Sequence, residues 1–483
     1  MNDTNRTASV PAEPSSRSEA SLKAQPRAVA DTSVDLAAGL LRRLFRNLEV
    51  PLSVRLWNGV TLRVGRAALE RKEPRYALVF QNPRVVSELV LGRDPLAIAE
   101  AYFRGDIDVE GDFRAALGLR HHLAAIRLNL SDRIISLIDA LRLRSCAAEA
   151  LDARSEPLVQ RGPAIKRHSK AENRDAIRFH YDLSNEFYAL WLDAQLVYSC
   201  GYFESANASL ETAQRAKLEH ICRKLRLQPG ESLLDIGCGW GALIVHAAQA
   251  YGVRAHGVTL SQRQYEFARR RIGDAGLEDR VTVELRDYRD IAGESCFDKI
   301  TSVGMFEHVG LDNLPLYFGA VERLLKPCGL FLNHGITHEA HGADESLSTR
   351  FINRYVFPDG QLDTIGHIQS VMEDAHFEVL DVEGLRRHYA LTLSAWVDRL
   401  ERNHEEALRH VNEATYRVWR LYMSCCALEF DAGGIGVYQI LAAKRGTASS
   451  ALPLTRRHLY AGVQTEKRGS HSILSLQETT PCR

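Results

Sequence analysis

The stretch Ser232-Leu-Leu-Asp235-Ile-Gly237-Cys-Gly239-Trp-Gly241 limits the fold more than any other part of the chain. A short apolar run enters a loop with glycine at alternate positions, and a helical pattern follows with Leu243, Ile244, Ala247, Ala248 and Tyr251 on one face. Strand, tight turn and helix N-terminus, in that order, open a doubly wound α/β domain. One glycine suffices for a merely structural turn, whereas three at alternate positions let the backbone approach a ligand closely.

The common ligand of such a turn is a nicotinamide dinucleotide, whose fingerprint is G-x-G-x-x-G with an acid about 20 residues further on to hold a ribose. Here the spacing is G-x-G-x-G and an aspartate stands before the first glycine. The next strand, Val253-Arg-Ala-His-Gly-Val258, runs into Thr259-Leu-Ser-Gln-Arg-Gln264 with no carboxylate at its tip. Nicotinamide is therefore disfavoured.

Strand and helix patterns alternate from about Ile177 to Arg445, as a doubly wound α/β domain requires. Before it, alternation through Val54-Arg-Leu-Trp-Asn-Gly-Val-Thr-Leu-Arg-Val, with Asn58-Gly59 at the turn, predicts a hairpin in a small α+β domain. The predicted organisation is a tail over 1–35, the small N-terminal domain over 36–150, a basic linker over 151–176, the α/β domain over 177–445 and a second tail over 446–483. The 483 residues carry 61 Lys plus Arg against 61 Asp plus Glu, so no whole-chain charge favours nucleic acid. Nine cysteines without zinc-type spacing fit a reducing, cytoplasmic setting and no metal site. No segment reads as a secretory signal or a membrane span, so membrane contact is expected to be peripheral, at the inner face.

The pattern D-x-G-x-G-x-G resembles the S-adenosylmethionine loop of class I methyltransferases, and further blocks narrow the resemblance. They are Tyr198-Ser-Cys-Gly-Tyr-Phe, Gly257-Val-Thr-Leu-Ser, Arg286-Asp-Tyr-Arg-Asp, Ser302-Val-Gly-Met-Phe-Glu-His-Val-Gly310, Phe351-Ile-Asn-Arg-Tyr-Val-Phe-Pro-Asp-Gly360 and Thr392-Leu-Ser-Ala-Trp396, all in order. Together they resemble the cyclopropane-fatty-acyl-phospholipid synthase family, closely over 177–445 and loosely over 50–120. The resemblance implies a Rossmann-like class I methyltransferase domain that takes S-adenosylmethionine and bicarbonate and acts on unsaturated phospholipid, with a homodimer compatible with that reading.

For the cofactor, the resemblance implies Tyr198 and Ser199 over the methionine end, Asp235, Gly237, Cys238, Gly239, Trp240 and Gly241 in the loop, Thr259, Leu260 and Gln264 at the ribose, and Asp287 and Tyr288 beside the adenine. An amide at Gln264 can both donate and accept at the ribose hydroxyls, which replaces the usual acid. For catalysis it implies that Cys200, Glu307, His334, the backbone of Ile336 and Tyr389 grip bicarbonate. Cys426 matches a cysteine that the family tradition marks as active, but its apolar helix points to an inert thiol. A metal at His334 with His338 lacks supporting ligands.

The chemistry explains the implied set. An isolated alkene attacks the sulfonium methyl and leaves a carbocation, so the site must be dry and must hold a base that removes a methyl proton to close the ring. An enzyme that stops at a methyl or methylene branch and a retired lipid-binding module are the alternatives. Asn333 and Gly335 beside the histidine, and Gly201 and Phe203 after the cysteine, depart from the family pattern. The amphipathic helix predicted over Leu123–Ser145, with Ile134, Ile135, Leu137, Ile138 and Leu141 on one side, and the basic segment Lys166 to Arg174 are candidates for contact with lipid.

Overall fold

The computed structural model describes residues 25–66, 74–92, 96–119, 122, 128–148, 161–163, 165, 168–181, 183–339, 347–358, 360–446 and 452–460. The chain divides into two compact units, one of residues 1–101 with 105–156 and the other of 102–104 with 157–483.

In the first unit, strands β1 (Leu52–Arg55), β2 (Thr61–Val64), β3 (Tyr76–Phe80) and β4 (Ile107–Gly111) form a sheet in the order β2-β1-β3-β4. The β1–β2 pair is the predicted antiparallel hairpin, and Gly59 takes a φ of 87° at its turn, a conformation that costs glycine nothing. One finding differs from the sequence reading: a helix starts at Gln25, inside the segment read as a tail, and runs to Leu44 with Ala37, Leu40 and Leu41 fully buried. In the helix Leu130–Ala148, Ser136, Ala140 and Leu143 are buried, while the aliphatic stripe at 134–141 is exposed; residues 123–127 of the predicted helix lie outside the described residues.

The second unit is built on seven strands: β5 (Ser232–Ile236), β6 (Arg254–Thr259), β7 (Val281–Leu285), β8 (Phe297–Val303), β9 (Leu325–His338), β10 (Phe377–Gly384) and β11 (Ile435–Lys444). Their order is β10-β11-β9-β8-β5-β6-β7, parallel from β9 through β7, with β11 antiparallel to both its neighbours. Residues 233–236 of β5 are all buried, as expected of a parallel strand covered on both faces. The chain leaves β5 toward β6 on one side and returns at β8 on the other. That makes the carboxyl end of β5 the point where strand order reverses, which is where open α/β sheets bind ligands.

Candidate active site

The loop after β5 is held open by its own backbone. Gly237 and Cys238 both donate to Val258 O on β6, at 2.9 and 3.0 Å, and Gly237, Gly239 and Gly241 all have positive φ. Around this turn a cleft is lined by Tyr198, Ser199, Asp235, Gly237, Cys238, Gly239, Trp240, Thr259, Leu260, Gln264, Asp287 and Tyr288. Every residue expected to hold the cofactor is among them except Gly241. That glycine serves packing: it caps the helix Ala242–Tyr251, and a Cβ there would lie 3.1 Å from Ala268 Cβ.

The polar groups of the cleft are tied down. Thr259 Oγ1 donates to Gln264 Oε1 at 2.7 Å, which leaves the Gln264 amide nitrogen for a ligand hydroxyl. Burial opposes ionisation of Asp287, but the Arg289 side chain, at 2.6 and 2.8 Å, outweighs it and holds the carboxyl below its usual range. Asp235 lies under the loop and accepts from Thr301 Oγ1 at 2.7 Å. Its pKa is pushed up to about 6 by burial, against the pull of that hydrogen bond and of Lys217.

A second cavity, of about 360 Å³, opens beside the first. It brings together all six residues carried over as catalytic: Cys200, Glu307, His334, Ile336, Tyr389 and Cys426. The rest of its wall is largely apolar, with Ile352, Phe357, Leu393, Tyr422, Phe430 and Val437. Glu307 Oε1 accepts from Ile336 N at 2.7 Å, while Oε2 is buried without a hydrogen-bond partner. The Ile336 N–H thus anchors Glu307. Burial raises the Glu307 pKa, against the pull of His308 and of the Ile336 N–H.

His334 pairs in register with Gln439 across β9 and β11, and Gln439 Nε2 lies 3.2 Å from His334 Nδ1. With the amide donating, the ring proton belongs on Nε2, which is buried with no partner. Burial first, then the charges of Lys217 and Lys224, lower the His334 pKa to about 3, so the ring is neutral at physiological pH. Cys200 and Cys426 are both buried, and burial pushes each thiol up. Neither has the thiolate character of a nucleophile.

The two cavities share four lining residues: Tyr198, Ser199, Gly304 and His308. Whatever sits in the cleft can therefore reach whatever sits in the second cavity only past this rim. Comparison with known proteins gives the family. Residues 168–440 match the family model described as mycolic acid cyclopropane synthetase. The chain belongs to that family. It is 37% identical over 425 residues to a probable fatty acid methyltransferase of Pseudomonas putida, covering 86% of this chain and 98% of that protein. It is 41% identical over 262 residues to the cyclopropane-fatty-acyl-phospholipid synthase of Escherichia coli, covering 54% and 66%. Among solved structures, the mycolic acid cyclopropane synthase CmaA1 in complex with SAH and CTAB superposes with a TM-score of 0.54 at 34% identity. It covers 56% of this chain and 98% of that one. This cyclopropane synthetase relative is accordingly an S-adenosylmethionine-dependent methyltransferase with the Rossmann-like fold.

Three features of this family member escape a reading of sequence alone. Lys217 is buried, and its Nζ donates to Ser199 Oγ at 2.9 Å. Burial lowers its pKa to about 8, with Asp193, Cys200 and Asp235 pulling the other way. Gln214 Nε2 donates to Ser199 O at 2.8 Å, so two neighbouring turns of one helix hold the segment that carries Tyr198 and Cys200. Beneath Tyr198, Trp191 and Trp396 pack with ring centroids 5.3 Å from the tyrosine, a rigid apolar floor. The departures noted in sequence also have reasons. A Cβ at Gly335 would collide with the Phe306 ring, and Asn333 Oδ1 accepts from Tyr317 OH at 3.2 Å.

Proposed function

We propose that this methyltransferase transfers a methylene unit from S-adenosylmethionine to the cis double bond of an unsaturated phospholipid acyl chain, giving a cyclopropane ring, S-adenosylhomocysteine and one proton. The observation that carries this reading is the apolar second cavity, whose buried Glu307 Oε2 and His334 Nε2 have no partner. An apolar lining suits an acyl chain and keeps water from a carbocation. Two orphaned polar atoms in such a wall call for a small hydrogen-bonding group, because a buried polar atom left unpaired is costly.

Bicarbonate fits these residues. A neutral His334 with its proton on Nε2 offers a donor to an anion, and Glu307, Cys200 and Tyr389 line the same wall. S-Adenosylmethionine would supply the electrophilic methyl, and bicarbonate the base that removes a proton from it. The chain's own part is to orient and to exclude water: Gln214 and Lys217 fix Ser199, Ile336 N fixes Glu307, and Gln439 fixes the tautomer of His334. The aromatic faces of Tyr389 and Phe430, with centroids 4.6 Å apart, provide the electron-rich surface that a cation favours.

The second reading is transfer that stops at a methyl or methylene branch, favoured by the 37% identity to a probable fatty acid methyltransferase over nearly its whole length. The test is incubation with methyl-labelled S-adenosylmethionine and unsaturated phospholipid vesicles, then proton NMR of the product. Shielded ring protons support cyclopropanation, and vinyl or simple methyl signals support the branch. No label in lipid would overturn both.

A further inference from the structure

Resting on the phospholipid reading above, we propose that the helix Leu130–Ala148 is a docking face for an anionic bilayer surface. Of thirteen exposed large hydrophobic residues among those described, six lie on this helix: Leu130, Ile134, Ile135, Leu137, Ile138 and Leu141, with exposures from 43% at Ile138 to 74% at Leu130. Soluble surfaces scatter such residues singly, so a contiguous stripe marks a contact surface. At about 100° per residue the six fall on one broad side, with Arg133 and Arg144 along one flank and Arg142 along the other. All three arginines are exposed.

The charges on the helix are sorted. Its two acids point back into the unit: Asp139 lies 2.8 Å from Arg43, and Asp132 lies 3.2 Å from Arg46, both arginines on or just after the helix Gln25–Leu44. Arg133, Arg142 and Arg144 have no carboxylate partner among the described residues. The inward side, Ser136, Ala140 and Leu143, is what packs against the helices Gln25–Leu44 and Pro83–Leu91. Among the described residues, the outward side thus combines aliphatic side chains with cations that no carboxylate pairs, and carries no free acid. An aliphatic stripe between cations fits the boundary between acyl chains and anionic head groups. A second copy of the chain would bring the same cations against themselves. Of the basic segment also considered from sequence, Lys170 pairs with Asp290, and Lys166 and Arg167 lie outside the described residues.

The test uses the full chain in co-sedimentation with vesicles of mixed phosphatidylglycerol and phosphatidylcholine, and with phosphatidylcholine alone. The variant R133Q/R142Q/R144Q is expected to bind the anionic vesicles about 100-fold more weakly, which corresponds to about 1 kcal/mol for each of three cations. It should also lose most of the salt dependence shown by the parent. The variant I134Q/I138Q/L141Q should lose binding at low salt as well. Both should keep the parent's melting temperature and affinity for S-adenosylhomocysteine, since these residues are exposed. Parent-like vesicle binding by either variant overturns the proposal. So does a parent dimer that I134Q/I138Q/L141Q converts to monomer in sedimentation velocity while vesicle binding persists, because the stripe is then a contact between copies. The parent's transfer of labelled methyl to lipid is measured in parallel: vesicle binding through this helix without lipid labelling sinks the functional reading and leaves the docking face standing.

Discussion

Two glycines of one loop should fail in different ways when each is given a side chain. Gly239 has a φ of 55°, and a Cβ built there meets no protein atom within 4 Å. Gly241 has a φ of 82°, and its Cβ would stand 3.1 Å from Ala268 Cβ. Left-handed backbone costs a non-glycine residue about 1–2 kcal/mol, and this is the only cost that Gly239→Ala brings to the free protein. At about 2–4 °C per kcal/mol for a domain of this size, the melting temperature should fall by about 2–8 °C. Gly241→Ala adds overpacking of about 1–3 kcal/mol against the helix Gln262–Asp274, so its fall should be the larger. Ligand binding should rank the other way. The open space above Gly239 is cleft, so Gly239→Ala should weaken S-adenosylhomocysteine by roughly 10- to 100-fold and Gly239→Val should abolish binding, while Gly241→Ala stays within about threefold. Calorimetric titration and differential scanning calorimetry on the same samples give both orders. Unchanged affinity in Gly239→Val, or a greater affinity loss in Gly241→Ala than in Gly239→Ala, would refute the assignment of the cleft.

Three other outcomes follow from the site. Glu307→Gln should cut turnover by roughly 10² to 10⁴ while S-adenosylhomocysteine affinity is kept, the range for a lost contribution to proton transfer; turnover within threefold of the parent would dismiss the role. Cys426→Ser should retain most activity, because burial keeps that thiol protonated, and total inactivity in a protein that melts normally would show the thiol to be essential. The third concerns acid stability. Burial opposes ionisation of Glu383, but His220 and Lys224, at 2.7 and 2.6 Å, hold its pKa at about 2 against a usual 4.5. A carboxylate depressed on folding stabilises above its unfolded value, and that stability is lost as pH falls. The urea midpoint should therefore drop as pH goes from 4.5 to 2, and Glu383→Gln should start lower at neutral pH and drop less; parallel curves would exclude Glu383 as the source.

The α/β domain was legible because its signals are local. Leu233 to Ile236 must be a buried strand, alternate glycines must turn, and the ordered blocks from Tyr198 to Trp396 carry the family. The first unit was harder for physical reasons. Ala37, Leu40 and Leu41 follow a segment rich in Ser, Ala, Pro and Arg, so the helix from Gln25 was hidden by composition. In the helix 130–148 the period correctly separates an aliphatic side from a polar one. Period alone cannot say which side packs, and here the answer depends on Arg43 and Arg46, which draw Asp139 and Asp132 inward from a helix some 90 residues away.

The electrostatics of the site depend on pairings that no local pattern encodes. Lys217 is an ordinary lysine in an amphipathic pattern until folding sets Ser199 against it and brings Asp193 and Asp235 near enough to counter its desolvation. His334 is a histidine of either tautomer until the antiparallel register of β9 and β11 sets Gln439 opposite it. A slip of one residue would put Tyr438 or Ile440 there and turn Gln439 to the other face of the sheet. The side chain that His334 Nδ1 meets is thus a property of strand register. It follows that Gln439→Leu, which keeps the strand and the burial but removes the amide, should free the imidazole to place its proton on either nitrogen. The expected result is lower turnover with unchanged S-adenosylhomocysteine affinity, and nitrogen NMR of labelled histidine should show a mixture of tautomers at His334. A single unchanged tautomer in that variant would mean that a different contact holds the ring.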